Sequence, residues 1–229
     1  MRTLTAVGHR GDPYRVRENT LPSIRSAFAR GADAVEIDVR LTRDGVPVLL
    51  HDESLQRLWG YDVRLDEVTV AQLKELTQGG VPTLRDALTA AGTGQLMLDL
   101  PGATAEAVRT VVGLVRECGA GDRTSYCAGP DTMLAVRAAD PSAPIALTWT
   151  TLSPPRRVLI DAVAPLWLNY RFGLVSRELV HALHRDGLLV SAWTADTKRT
   201  MRTLMAAGVD SITTNRLDAL AAVRAEFGR

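Results

Sequence analysis

A (β/α)8 barrel, the TIM-barrel architecture, with a small insertion after its second barrel strand, is the fold that this 229-residue α/β sequence predicts. Three observations carry that expectation. Short apolar runs alternate with helical patterns from end to end, as in parallel strands joined by crossover helices. Linkers are a few residues long, and many helical patterns stop at glycine, the usual residue just past a helix C-terminus. The length lies within the roughly 200–400 residues of such barrels, so one domain is expected over residues 1–229. A doubly wound open sheet is the alternative. It would want a glycine-rich phosphate loop after its first strand, and Gly8-His9-Arg10-Gly11 is not one.

The elements follow in order. A first strand at 4–8 leads to a helix at 21–30, and a second strand spans 34–41. The apolar run 46–51 comes directly after it, across Arg43-Asp44-Gly45. Asp-Gly reads as a turn, so 46–51 is an extra strand beside the second. Residues 52–81, with a helical pattern at 70–77, form the small insertion, and a helix at 84–91 returns the chain to the barrel. The remaining strands are expected at 96–100, 124–128, 145–148, 163–168, 188–193 and 209–213. The remaining helices are expected at 103–118, 131–139, 177–185, 198–207 and 218–227. In the last helix, Leu220, Val223 and Phe227 recur at helical spacing and should pack on the barrel.

Composition narrows the function classes. With 27 Lys+Arg against 26 Asp+Glu, the chain has no bulk charge with which to grip nucleic acid or an anionic membrane. No apolar run is long enough to span a bilayer, so no stable membrane insertion is expected. The opening residues Met1-Arg2-Thr3-Leu4-Thr5 leave no room for a signal-peptide apolar core before Gly8. The two cysteines, Cys118 and Cys127, are too few for a disulfide scaffold and read as free, partly buried thiols. A cytoplasmic location is the corresponding expectation.

Chemistry in such a barrel belongs at the C-terminal ends of the strands. Side chains alternate along a strand. Val35, Ile37 and Val39 therefore share a face suited to the outer helices, while Glu36, Asp38 and Arg40 point inward. Two carboxylates about 7 Å apart on one inward face repel each other and are costly to desolvate, and a divalent cation removes that cost. Asp99 ends the run Leu96-Met97-Leu98 and is a candidate third ligand. His9 closes the first strand and His51 closes the run 46–50, which suggests a pair of proton-transfer groups. Arg10 offers a forked guanidinium suited to phosphate. Glu18-Asn19 stands just before a helix, where capping is the ordinary reading. Trp193 ends a strand at the same face and can pack against substrate; Trp149 and Tyr170 also fall near strand ends. Trp59 and Tyr61 in the insertion would lid the site or cover the barrel mouth, and Ser153-Pro154-Pro155-Arg156-Arg157 reads as a solvated basic turn, a lipid or phosphate contact being the lesser alternative. His181 and His184, three apart on one helix, read as part of a solvated face.

Taken together these residues resemble a known family. His9-Arg10-Gly11, Glu18-Asn19-Thr20, Glu36-Ile37-Asp38-Val39, Asp44-Gly45 and Val48-Leu49-Leu50-His51-Asp52 look like the motifs of glycerophosphodiester phosphodiesterases. The likeness continues at Leu55-Gln56-Arg57, Val81-Pro82-Thr83-Leu84, Ala192-Trp193-Thr194 and Gly208-Val209-Asp210-Ser211. The resemblance implies a TIM barrel and one divalent cation, Mg²⁺ or Ca²⁺, held by Glu36, Asp38 and Asp99. It implies His9 and His51 as catalytic histidines, Arg10 as a phosphate contact, and Glu18, Asn19 and Trp193 as substrate-site residues. The partner it implies is a small phosphodiester, cleaved to an alcohol and glycerol 3-phosphate; one of His9 and His51 then serves as base and the other as acid, and we assign His9 as base and His51 as acid.

The sequence departs from the family pattern at three positions. Asp99 stands where Glu is usual, Pro101 where a lysine is usual, and Asn215 where Asp is common. Two other readings follow from the same residues. One is a lysophospholipid or sphingolipid headgroup phosphodiesterase with the same metal and histidines. The other, suggested by Pro101, is a catalytically weak phosphodiester-binding protein.

Overall fold

The computed structural model describes residues 4–227; the first three and last two residues of the domain expected over 1–229 lie outside the described residues. The chain runs β1 (Thr5–His9), α1 (Leu21–Ala29), β2 (Ala34–Leu41), β3 (Pro47–Leu49), α2 (Gln56–Trp59), α3 (Val70–Thr77), α4 (Leu84–Ala91) and β4 (Gln95–Asp99). It continues α5 (Ala105–Glu117), β5 (Thr124–Ala128), α6 (Pro130–Ala139), β6 (Ile145–Trp149), α7 (Arg157–Val163) and β7 (Trp167–Arg171). It ends α8 (Arg177–Arg185), β8 (Leu189–Trp193), α9 (Lys198–Ala207), β9 (Ser211–Thr214) and α10 (Leu217–Phe227).

All strands but β3 are parallel to their neighbours, and β1 pairs with both β2 and β9. The eight strands β1-β2-β4-β5-β6-β7-β8-β9 therefore close into the expected (β/α)8 barrel. The extra strand β3 pairs antiparallel with β2, Val39 opposite Leu49, through the Asp44-Gly45 turn in which Gly45 takes φ 76°.

Alternation along the strands divides the barrel. Val35, Ile37 and Val39 are buried in the main apolar cluster with Leu84 and Leu88 of α4, Ile24 of α1, and Val108 and Val111 of α5. Each such fully buried aliphatic side chain contributes about 1.5–3 kcal/mol. Leu220 and Val223 of α10 are buried in the same cluster and Phe227 packs against it. Residues 48–81 carry a second cluster of their own, Val48, Leu50, Leu55, Leu65, Val68, Leu73 and Val81, beside the barrel mouth.

Helices α2 and α7 stand where the sequence predicts none, and one predicted strand is displaced. Residues 163–168 are not a strand: Val163 closes helix α7, and β7 begins at Trp167. The apolar run belongs to two elements separated by Ala164, which takes a left-handed φ of 46°, and by Pro165. The shift also changes which β7 residues face inward. Asn169 lies on the interior side, whereas Tyr170 is fully buried in the outer cluster.

Candidate active site

Strand register assembles the site. His9 is level with Glu36 across the β1–β2 pair, Asp38 is level with Asp99 across β2–β4, and Asp99 is level with Cys127 across β4–β5. Level residues on neighbouring parallel strands project from the same height of the barrel wall, with the strands about 4.8 Å apart. One carboxylate oxygen from each of Glu36, Asp38 and Asp99 lies within 4.8 Å of the others. They line a cavity of about 280 Å³ at the C-terminal mouth, together with His9, Arg10, His51, Pro101, Cys127 and Trp193.

The turn after β1 needs unusual backbone. Arg10 and Gly11 have φ of 56° and 93°, and a Cβ on Gly11 would fall 2.2 Å from Ser23 Oγ. Only glycine fits there. The turn aims the Arg10 backbone N–H at Glu36 Oε2, 2.9 Å away. The Arg10 guanidinium donates to Glu18 Oε1 at 2.9 Å, and its Nε lies 3.3 Å from Asp38 Oδ2.

Asn19, also left-handed with φ 55°, is buried rather than on the cavity wall. Its Nδ2 donates to Asp38 Oδ2 at 2.7 Å, and its Oδ1 accepts from the Asp38 backbone N–H at 3.1 Å. It therefore holds Asp38 in place. Glu18 likewise lies behind the cavity and accepts from both Arg10 and Arg57. Thr20, not Glu18 or Asn19, caps α1. Trp193 does line the cavity, with its Nε1 donating to the Asn169 carbonyl at 3.4 Å.

Each histidine has a different support. Asn215 donates its backbone N–H and its Nδ2 to Asp196, both at 2.8 Å. Its Oδ1 is thereby turned to His9 Nδ1, 2.8 Å away, so Nδ1 is the donor and Nε2 carries the lone pair of the neutral ring. Burial, then the neighbouring Arg10 charge, lowers the His9 pKa. His51 instead donates from Nδ1 to the Asp52 carboxylate at 2.7 Å. Arg57 on α2 bonds both Asp52 and Glu18, joining the support of His51 to that of Arg10.

The carboxylate cluster is electrostatically loaded. Burial and the adjacent Asp38 and Asp99 push the Glu36 carboxyl well above its ordinary range. Burial, with Asp38 beside it, pushes Asp99 up to about 7. Cys127 is a free thiol, 3% exposed, whose own pKa is raised by burial and by the same carboxylates, so it stays protonated and hydrogen-bonds Asp99.

Several aromatic expectations change. Thr148 and Asn169 face the cavity, whereas Trp149 packs outside it and Tyr170 is core; the period-two alternation decides this. Trp59 is half-buried in the small cluster, with Arg17 stacked 4.2 Å from its ring, and neither Trp59 nor Tyr61 lines the main cavity. His184 is not simply solvated: its Nε2 lies 2.7 Å from Asp210 Oδ2, while His181 is exposed. Arg40 donates its Nε to the His51 carbonyl at 2.8 Å and lines a neighbouring cavity on the other side of Pro101. The parts that sequence reasoning left without a role are Asp52, Arg57, Asp196 and Cys127. Asp52, the immediate neighbour of His51, and Arg57, in the Leu55-Gln56-Arg57 motif, carry a signal in the sequence.

The sequence model of the glycerophosphoryl diester phosphodiesterase family matches residues 9–219. The chain belongs to that family. A relative named a probable glycerophosphodiester phosphodiesterase 2, from Mycobacterium tuberculosis, is 29% identical over 94% of this chain and 88% of its own length. A glycerophosphodiester phosphodiesterase of Caldanaerobacter subterraneus is 27% identical over 94% of this chain and 95% of its own. Among solved structures, an Oleispira antarctica phosphodiesterase in complex with the product sn-glycerol-3-phosphate superposes with a TM-score of 0.89. It is 22% identical and aligned over 96% of each chain, a likeness of fold. Among the described residues, no helix is long and apolar enough to cross a membrane.

Proposed function

We propose that the protein is a divalent-cation-dependent phosphodiesterase that hydrolyses glycerophosphodiesters to an alcohol and glycerol 3-phosphate. The observation that carries this reading is the convergence of Glu36, Asp38 and Asp99 at one end of a cavity that also holds His9, His51 and Arg10. The carboxylates fit a hard cation. They lie close together, burial and the neighbouring carboxylates raise the pKa of Glu36 and of Asp99, and the Arg10 charge beside them offsets part of that repulsion. All three offer oxygen ligands, which suit Mg²⁺ or Ca²⁺. Bound there, a divalent cation supplies Lewis acidity at the phosphate and offsets the charge that builds in the transition state.

The chain's own groups would do the rest. Arg10 binds a second phosphate oxygen, with Glu18 and Asp38 fixing its fork. His9 takes the proton of the nucleophile at Nε2, because Asn215 holds Nδ1 protonated; that nucleophile is water, or a substrate hydroxyl whose cyclic phosphate product is then opened by water. His51 gives a proton from Nε2 to the leaving alcohol, because the Asp52 carboxylate on its other nitrogen compensates the charge of a doubly protonated ring. Trp193 packs against the organic part of the substrate. Incubation with glycerophosphocholine or glycerophosphoethanolamine and Mg²⁺ or Ca²⁺ should release glycerol 3-phosphate. Release from neither would overturn the reading. Activity confined to detergent-dispersed lysophospholipid would move the substrate class to lipid headgroups.

Pro101 tests the phosphate site. It lines the cavity where a cation would sit, and Arg40 does not replace that cation, because it lies beyond Pro101. Pro101→Lys should therefore raise kcat/KM on both diesters. A stably folded Pro101→Lys with reduced activity on both would count against a missing cation.

The cation also has a signature in stability. Glu36 and Asp99 titrate higher in the folded chain than unfolded, where Asp99 sits near 3.8 instead of about 7. The folded state then binds more protons between those values, so stability is full at low pH and is lost as pH rises through about 7. Lowering of the His9 pKa acts oppositely, but two carboxylates outweigh one imidazole. In EDTA, Tm should fall from pH 5 to pH 8, and saturating Mg²⁺ or Ca²⁺ should flatten the slope. A Tm in EDTA that is level or rising over this range would contradict the reading.

A further inference from the structure

Three neighbouring loops at the barrel mouth share a composition that the proposed chemistry does not use. They follow β6, β7 and β8, which are adjacent and in register, with Trp149 level with Tyr170 and Arg171 level with Trp193. The first loop carries Leu152, 75% exposed, and leads through Pro154-Pro155 to Arg156 and to Val158, 73% exposed at the start of α7. The second begins at Arg171 and exposes Phe172, 38% accessible. The third ends at Lys198 and Arg199 on the first turn of α9.

Large apolar side chains this exposed are costly to leave in water when they cluster on one rim. The two prolines stiffen the first loop, so Leu152 cannot readily fold back onto the barrel. The side chains of Arg156, Arg171, Lys198 and Arg199 are in no ion pair or side-chain hydrogen bond among the described residues. The acids nearby are largely committed. Asp196 is tied to Asn215 and Thr214, and Asp161 pairs with Arg157 at 2.7 Å; Glu178 lies in the first turn of α8. The rim is thus apolar points set among cations, although the whole chain has a net charge of only +1.

We propose that this rim docks the protein peripherally on an anionic lipid surface, with the barrel mouth facing the bilayer. Exposed apolar side chains would enter the headgroup region, and the cations would pair with lipid phosphates. Charge complementarity selects an anionic surface over a neutral one. Among the described residues no helix is long and apolar enough to cross the bilayer, so the proposed attachment is peripheral and reversible. The inference stands apart from the catalytic reading, because vesicle binding is read without turnover.

The test is co-sedimentation of the full chain with vesicles of phosphatidylcholine alone and of phosphatidylcholine mixed equally with phosphatidylglycerol. Binding is expected to the mixed vesicles only, and to weaken as salt is added. Arg156→Gln with Lys198→Gln should lose roughly fivefold in partitioning for each charge removed. Leu152→Ser with Phe172→Ser should lose at least as much. Both pairs should keep the parent Tm and turnover of soluble diesters, since none of these residues lines the cavity. Failure of the parent protein to bind mixed vesicles overturns the proposal, as does equal binding to both kinds. So does undiminished binding by stably folded variants, which would put the vesicle contact on another surface.

Discussion

Excess EDTA is expected to abolish hydrolysis of glycerophosphodiesters by this protein, and Glu36→Ala or Asp38→Ala to reduce kcat/KM on the order of a thousandfold or more. The size follows from the register. Asp38 and Asp99 are level on neighbouring strands, Glu36 is one interior position below Asp38, and all three present an oxygen within 4.8 Å of the others. Each variant removes one of the three clustered oxygen ligands, and beyond Asp99 the next side chain along the wall is the Cys127 thiol, which stays protonated. Calorimetric titration with Mg²⁺ and Ca²⁺ would show weakened binding in both variants. Full activity in EDTA, on any diester that the protein accepts, would remove the cation from the mechanism.

Loss of either histidine should cost on the order of 10²–10⁴ in kcat with the fold retained. The two losses should differ in kind. His9 faces the neutral Asn215 amide and is assigned the base, while His51 faces the Asp52 carboxylate and is assigned the acid. A p-nitrophenyl ester needs no protonation of its leaving group. It should therefore partly rescue His51→Ala and leave His9→Ala impaired. Rescue of His9→Ala alone would reverse the assignment. Changes of no more than a few-fold in both variants would remove the histidines from proton transfer.

Much of this site was legible from local pattern. Alternation along 34–41 separates Val35, Ile37 and Val39 from Glu36 and Asp38, and the structure buries the first set under the outer helices. His9 and His51 stand out as histidines closing apolar strands. Structure and sequence expectation part where two elements abut or where nearness to a strand end says less than alternation along it. The run 163–168 joins a helix end to a strand start, and hydrophobicity alone does not mark the left-handed Ala164 between them. Trp149 and Tyr170 lie near strand ends, but their parity turns them outward and leaves Thr148 and Asn169 facing the cavity. Asn19 was read as a substrate-site residue; its amide is spent on Asp38.

By itself the sequence determined the barrel, the inward carboxylates of the second strand and the two strand-end histidines. All of these follow from short-range periodicity, which a linear reading captures. Tertiary structure decided what supports them. Asn215 and Asp196 reach His9 only because β9 closes onto β1, 206 residues apart in sequence at the His9–Asn215 contact. Arg57 joins Asp52 to Glu18 only because the residues after β3 fold over the barrel mouth. Cys127 meets Asp99 only through the register of β4 with β5. Hydrogen bonds and charge coupling depend on distances of a few ångströms, and barrel closure sets those distances among residues that local sequence pattern does not relate.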